Sequence, residues 1–358
     1  MLDYLIVGHG LAGAVLSRFL EKKGNSYHVL DQVGGAKSSI VAGGLYNPIT
    51  GRKMTTTWQA ASIFPQIEPF YTDFEEMLNT RVLNKIGVYR PFISIEEQND
   101  WQARMTNPKY APFIRSISNY PNNDHNLNDP YGGLYLNMAG WVDVKKLLNA
   151  NKNHLSGKGR YSEMLFNMQR LESQKDNFTY NDFQFRRLII CTGYADGKIP
   201  FFDWLPFKPV KGELLSISLK NQISTIYNRG VFVLPFDDQK CKLGATYNWK
   251  DVNCETSDAA KRELKDKLEA LYTGQYRIID QVAGIRPATK DRRPFIGEHP
   301  ESKGIYIFNG FGSKGVSMAP YFGKQFVEFL EDDNPLENEV NVNRYFSLYY
   351  NKEHQSNG

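Results

Sequence analysis

Cysteine is scarce in this chain: Cys191, Cys241 and Cys254 are the only three in 358 residues, and they lie far apart. That number and spacing argue against a disulfide framework and against a cysteine-based zinc site, so no metal is expected and a reducing compartment is. Long apolar runs are missing too. None reaches the roughly 18 to 20 residues that cross a bilayer, so no membrane span is expected. The opening residues, Met1-Leu2-Asp3-Tyr4-Leu5-Ile6-Val7-Gly8, place no basic segment ahead of the apolar one. A signal peptide is therefore not expected, and the expected location is the cytoplasm. Charge of one sign is also lacking: 43 Lys and Arg stand against 39 Asp and Glu, a formal +4. Such a balance permits an anionic partner without requiring one, and the pairs Lys145-Lys146 and Arg186-Arg187 read as solvated surface. Internal repeats and low-complexity stretches are absent, which excludes solenoid and fibrous architectures.

What is present is an ordinary globular composition, 41% hydrophobic and 23% charged. The length exceeds what one core usually serves, so about two domains are expected. Tyr4 to Val7 reads as a short apolar strand, and Gly8 to Gly13 as a tight glycine turn. Ala14 to Lys23 reads as a helix, with Val15, Leu16, Phe19 and Leu20 on one face and Gly24 as its C-cap. Tyr27 to Leu30 is a second strand that ends at Asp31. This β-α-β order within about thirty residues is the Rossmann arrangement. Further on, 54–84 has helical spacing, 187–191 reads as a buried parallel strand, and 210–250 alternates as antiparallel strands do. A charged helix is expected over 258–272, a buried strand at 305–308 and a final helix from about 316 to 330. These elements predict an α/β fold: a Rossmann-type nucleotide-binding domain with an inserted, mainly antiparallel-sheet substrate domain. The expected segments are 1–84, 141–205 and 280–358 for the first domain, and 85–140 with 206–279 for the second.

Gly8-His9-Gly10-Leu11-Ala12-Gly13 matches GxGxxG. Gly8 permits the turn, Gly10 lets backbone approach a pyrophosphate, and Gly13 allows close helix–strand packing. The helix start adds free N–H groups and a positive dipole end. Asp31, eighteen positions after Gly13, is placed to bond a ribose hydroxyl, which argues against a 2′-phosphate. The loop alone leaves NAD and FAD open. His9 reads as a loop side chain facing solvent or protein.

The run Ser38-Ser39-Ile40-Val41-Ala42-Gly43-Gly44-Leu45 and the block from Gly284 to Pro320 resemble the D-amino-acid oxidase superfamily of flavoproteins. Within that block stand Gly284-Ile285-Arg286-Pro287, Pro294-Phe295-Ile296-Gly297 and Gly310-Phe311-Gly312-Ser313-Lys314-Gly315-Val316. The resemblance implies FAD, bound non-covalently because no cysteine stands near Arg286. By the motif and the resemblance together, Gly8, Gly10, Leu11, Ala12, Gly13, Asp31, Gln32, Ser38, Ser39, Ala42, Gly43, Gly44, Leu45, Thr192 and Gly193 are candidate cofactor residues. Gly312, Ser313, Lys314, Gly315 and Val316 join them, with their helix aimed at the flavin pyrimidine edge.

On the substrate side the resemblance implies that Arg286 grips a carboxylate, since a guanidinium offers two parallel donors. Phe232 stands where the related glycine oxidase has a tyrosine, and Ser313 where it has a second arginine. The Phe-Gly-Ser-basic-Gly run is similar instead to the flavin domain of the bifunctional tRNA wobble-uridine modification enzyme, although the methyltransferase half is lacking here. Tyr46, Trp58 and Tyr247 are candidate pocket walls, and Arg52 and Lys53 candidate contacts for an anionic substrate. The implied chemistry is hydride transfer from an amine carbon to flavin N5, followed by hydrolysis of the imine. The leading expectation is an FAD enzyme oxidising a C–N bond of a small amine or amino acid, with oxygen or another acceptor taking the electrons. The alternatives are removal of a carboxymethyl group from modified tRNA wobble uridine, and a flavoprotein acting in electron transfer.

Overall fold

The computed structural model describes residues 1–32, 34, 38–51, 53–194 and 199–356, with side chains described as far as 352. Its first sheet starts at the strand Leu2–Val7, whose residues from Tyr4 onward are buried. This strand pairs in parallel with Tyr27–Asp31 on one side and Phe183–Ile190 on the other, with Val7 opposite Leu30 and Ile190. Tyr161–Glu163 and Ile305–Asn309 extend the parallel array at its two ends. Strands buried on both faces are read as continuous apolar runs, and Leu188-Ile189-Ile190 is one. Antiparallel additions sit at the margins: Phe295–Glu298 beside Ile305–Asn309, and Leu171–Ser173 with Phe178–Tyr180 beside the start of Phe183–Ile190.

The helices Leu11–Lys22 and Gly315–Asp332 pack against each other over this sheet. Gly323 makes the close crossing possible, because a Cβ there would come within 3.0 Å of the Val15 side chain and 3.1 Å of Phe19. The first helix starts at Leu11, earlier than the glycine run suggests, with Gly10 as its N-cap. Half of the fingerprint is therefore helix rather than turn. The helix expected over 54–84 is shorter, Ala60–Leu78. Thr55–Thr56 pairs with Ile49–Thr50 ahead of it, and Asn79 ends it in the left-handed region at φ 46°. Asp143 accepts the Lys146 N–H at 3.0 Å and caps the helix Val144–Gly157.

The second sheet has the order Tyr276–Arg286, Val210–Leu219, Lys240–Gly244, Val231–Asp237, Ile226–Arg229, Val88–Pro91, Gly133–Leu136, Ile114–Ser118. All neighbours are antiparallel except Ile226–Arg229 with Val88–Pro91. Side chains alternate across it. Leu215, Ile217, Val233 and Leu243 face the helix Asp258–Leu271 and pack on Leu264, Leu268 and Leu271. Gly212, Leu214, Phe232 and Gly244 face the opposite way, into a cavity shared with the first sheet. Among the described residues no helix is long and apolar enough to cross a membrane.

Candidate active site

The cavity between the sheets measures about 1830 Å³, larger than the roughly 300 to 1,000 Å³ of a typical small-molecule site. It opens above the carboxyl ends of the parallel strands, where ligands bind in open α/β sheets. Of the residues singled out for a cofactor, all but Gly13 line it.

Gly13 serves another way. A Cβ at Gly13 would fall 2.0 Å from the Gly8 carbonyl oxygen, and one at Gly8, where φ is 105°, 2.6 Å from that of Cys191. The bare backbone thus lets the helix Leu11–Lys22 sit directly on the strand ends. Its N-cap, Gly10, has no side chain to cap it; the Leu11 N–H instead donates to Ser39 Oγ at 3.1 Å from a distant segment. Asp31 Oδ1 accepts the His9 N–H at 2.9 Å, and Oδ2 accepts the Tyr161 hydroxyl at 3.1 Å. These bonds fix the carboxylate against the loop. His9 itself is buried against protein, with Nε2 3.0 Å from Asn151 Nδ2. Solvent is not its environment.

The small-residue run passes along the cavity beside the second sheet. Gly43 lies under the Phe232 ring, where a Cβ would come within 2.7 Å of Cζ. Gly44, at φ 76°, leaves 1.9 Å between a Cβ position and the Val142 carbonyl oxygen. Lys242, which sequence reasoning missed, donates from Nζ to the Ala42 carbonyl at 3.3 Å. Its ammonium stands 5.7 Å from the Trp141 and Phe236 ring centroids, and burial pushes its pKa down.

At the far side Gly310 and Gly312 turn with positive φ into the helix Gly315–Asp332. That helix has no acidic residue in its first turn and no side-chain cap. Gly315 lies against Leu11, a Cβ position being 3.3 Å from Leu11 Cδ2, so the first turns of the two helices converge. Lys314 Nζ donates to Thr57 Oγ1 at 3.3 Å. Burial, with Arg292 and Arg293 nearby, brings its pKa down to about 8. Two helix N-termini and a lysine make this region of the cavity positive. Thr192 and Gly193 close the wall between, and Asn309 Nδ2 donates to the Gly193 carbonyl at 2.8 Å.

The substrate-side candidates meet unequally. Arg286 ends the strand Tyr276–Arg286, and its guanidinium lies flat over Gly212, where a Cβ would be 2.0 Å from Nη2. Nη1 donates to the Thr246 carbonyl at 3.1 Å and the Lys211 carbonyl at 3.4 Å. The guanidinium carbon sits 4.4 Å from the centroid of the Tyr247 ring. Burial lowers its pKa, and the Tyr247 hydroxyl opposes that shift. The missing side chain at Gly212 was the available signal, since a glycine inside a strand marks close approach. Phe232 and Tyr247 line the cavity as expected. Tyr46 also reaches it, but its hydroxyl donates to Glu68 Oε1 at 3.3 Å, and burial raises its pKa. Trp58 lies between Arg293, whose guanidinium carbon is 3.9 Å from the ring centroid, and Phe322. Lys53 is exposed and off the cavity wall, and Arg52 lies outside the described residues.

Comparison with known proteins agrees with this geometry. The model of the DAO family, FAD dependent oxidoreductase, matches residues 3–329. The tRNA 5-methylaminomethyl-2-thiouridine biosynthesis bifunctional protein MnmC of Legionella pneumophila (strain Corby) is 21% identical over 88% of this chain and 52% of its own length. The chain thus spans about half of the MnmC proteins it matches. Glycine oxidase of Bacillus subtilis (strain 168) is 34% identical over 38% of each chain. Among solved structures, iminodiacetate oxidase from Chelativorans sp. BNC1 superposes with a TM-score of 0.77 at 18% identity, covering 94% of this chain and 98% of its own. Glycine oxidase from Bacillus cereus gives 0.75 at 18% identity, over 94% and 96%. With a glycine cradle, two converging helix N-termini and a family model spanning nearly its whole length, the chain belongs to the DAO family of FAD-dependent oxidoreductases.

Proposed function

We propose that this oxidoreductase oxidises the C–N bond of a small amine or amino acid that carries a carboxylate, with Arg286 as the carboxylate hook. The state of Arg286 carries the reading. It is a largely buried cation on the cavity wall, bonded only to carbonyls, with no acidic partner among the described residues. Burying an unpaired charge is costly, and a carboxylate in the fork of a guanidinium offsets that cost.

FAD, when bound, accepts the hydrogen and two electrons that leave the amine carbon. The cradle around Gly8 to Gly13, the run Ser38 to Leu45 and the loop Gly312 to Val316 would hold it without a covalent bond. Asp31 would serve the ribose. Lys314 and the first turn of Gly315–Asp332 supply positive potential for charge arriving on the cofactor. Phe232, pressed on Gly43, excludes water at the junction of the two sheets. The oxidised carbon is left as an imine, which takes up water and separates into a carbonyl compound and an amine. Oxygen or another acceptor then removes the electrons. In this reading 1–84, 141–205 and 287–358 hold the cofactor, and 85–140 with 206–286 hold the substrate. The end of the last substrate segment moves from 279 to 286 because Tyr276–Arg286 pairs along its length with Val210–Leu219.

A second reading, removal of a carboxymethyl group from tRNA wobble uridine, has one observation in its favour. Lys208, Lys290, Arg292, Arg293 and Lys314 line the cavity, against Asp31 as its one acid among the described residues. The name of the MnmC relatives points the same way. Anaerobic mixing of the holoenzyme with a panel of N-alkyl amino acids tests both. Bleaching of the visible flavin band by a panel member supports the first reading. Bleaching only by carboxymethyl-modified tRNA overturns it in favour of the second.

A further inference from the structure

Large aromatic rings are normally buried, and two of them at the mouth of this cavity are not. Tyr247 is 52% exposed and Trp249 63%, and both line the cavity. Their rings lie near parallel, 24° apart, with centroids separated by 6.0 Å. The Tyr247 ring is at the same time stacked on the Arg286 guanidinium. Cation, first ring and second ring therefore form one ladder that runs outward from the carboxylate hook.

The segment bearing these rings is held firmly. Asn248 exchanges both backbone hydrogen bonds with Lys211, at 2.9 and 3.0 Å. The Lys211 side chain, 2% exposed, reaches across to Asp251 Oδ2 at 3.1 Å and Asn253 Oδ1 at 2.8 Å. Asn248 Oδ1 accepts the N–H groups of Lys250 and Asp251. Below, the Glu213 carboxylate, buried beside Lys211, accepts Ser257 N–H and Oγ–H at 2.9 and 2.8 Å. A buried lysine thus anchors a surface loop whose exposed feature is an aromatic pair. The Tyr247 ring is covered by the guanidinium and by Trp249, so Trp249, the more exposed of the two, ends the ladder on an anchored loop and makes a stacking surface with little ordering entropy left to lose. Two rings are too small for a stable protein interface, which needs on the order of 1,200 Å² or more. A flat group a few bonds from the carboxylate matches them in size.

We propose that Tyr247 and Trp249 form a stacking subsite for a planar aromatic group borne by the amine substrate, so that the preferred substrates are aryl-bearing amino acids rather than small aliphatic ones. The inference rests on the reading of Arg286 as the carboxylate hook. Its test compares the holoenzyme's flavin reduction by N-methylglycine, N-benzylglycine and N-(cyclohexylmethyl)glycine, the last matching the benzyl compound in bulk but not in flatness. Stacking predicts that kcat/KM for the benzyl compound exceeds that for the cyclohexylmethyl compound by about tenfold. Trp249→Ala should bring that ratio close to one, and Trp249→Phe should restore most of it. A ratio near one in the unaltered enzyme, or one unchanged in Trp249→Ala, overturns the subsite. Those outcomes leave C–N oxidation standing if N-methylglycine reduces the flavin. Failure of all three compounds overturns the subsite together with the reading beneath it.

Discussion

At the nucleotide end of the cavity, Gly8, Gly10 and Gly13 fall within six consecutive residues, and each acts through the side chain it lacks. At the opposite wall Arg286, Tyr247, Phe232 and Trp58 come from four separated segments and act through the side chains they have. The first region is a backbone device. Its geometry follows from one turn and one helix start, and a Cβ at Gly13 would collide with Gly8 five residues away. The second is a product of tertiary packing: Arg286 finds its place because Gly212, on the neighbouring strand, leaves room for a guanidinium. The two regions should therefore fail differently, one losing the cofactor and the other losing turnover.

The largest effect is expected at Gly13. Gly13→Ala puts a methyl group 2.0 Å from the Gly8 carbonyl oxygen, and backbone on both sides of the contact must move. Overpacking of that kind costs about 3 kcal/mol or more, which is over a hundredfold in FAD affinity if the loop takes the strain. Gly10→Ala is the milder partner, since its Cβ would meet only the Ser39 hydroxyl at 3.3 Å. Titration of each apoprotein with FAD gives the order. Equal affinities in Gly13→Ala and the unaltered protein would break the account of the nucleotide end.

Arg286→Ala comes next and should separate the two regions cleanly. We expect kcat/KM for a carboxylate-bearing amine to fall by about 100- to 1,000-fold, corresponding to about 3 to 4 kcal/mol for a lost charged pair, while FAD content stays the same. Arg286→Lys should recover only part, because an ammonium is a point charge without the planar fork. Parallel loss of FAD in Arg286→Ala would show that the arginine holds the fold or the cofactor rather than the substrate.

This contrast also explains how much was legible in the amino-acid sequence. The β-α-β unit, the acid at Asp31 and the glycine loop before the last helix were readable because each is local: strand, turn and helix follow one another within a few residues. Even there the helix start was placed three residues late, since nothing local says that Leu11 to Gly13 are already helical. On the opposite wall Arg286 and Phe232 were legible through a family resemblance, and Tyr46, Trp58 and Tyr247 only as candidate pocket walls. Lys242, whose partner is the Ala42 carbonyl 200 residues earlier, and Tyr161, which bonds Asp31 from 130 residues away, have no local signature. The partner of the Tyr46 hydroxyl, Glu68, is likewise set by packing and has no local signature.

Lys314 belongs to both regions, and pH sharpens its place. Its pKa falls from the ordinary 10.5 to about 8 because burial and the neighbouring Arg292 and Arg293 disfavour the charged form. Between those values the unfolded chain binds more protons than the folded one, so stability rises with pH across that window. The penalty is fully present below pH 8 and is relieved as pH climbs toward 10.5. Lys314→Met should therefore stabilise the apoprotein at pH 7 by up to about 3 kcal/mol, and the gain should shrink as pH rises. Denaturant unfolding of both apoproteins between pH 7 and 10 measures it. A gain that does not vary with pH would mean that the lysine is paired or solvated in the folded chain.

The smallest effect is expected at Ser39, and it bears on where the nucleotide end stops. Helix Leu11–Lys22 lacks a cap of its own, and the Leu11 N–H donates to a hydroxyl that follows it by 28 residues. Ser39→Ala removes that acceptor and leaves the donor facing the cavity, a loss comparable to that of a helix N-cap, about 1 kcal/mol. The free N–H then becomes available to an anionic ligand, so part of the loss should return when FAD binds. The thermal midpoint of the apoprotein is expected to drop by a few degrees, and that of the holoprotein by less. An equal drop in both would place Ser39 with ordinary packing, whereas a larger drop in the holoprotein would make its hydroxyl a direct holder of the cofactor and extend the nucleotide end beyond the glycines into the run from Ser38 to Leu45.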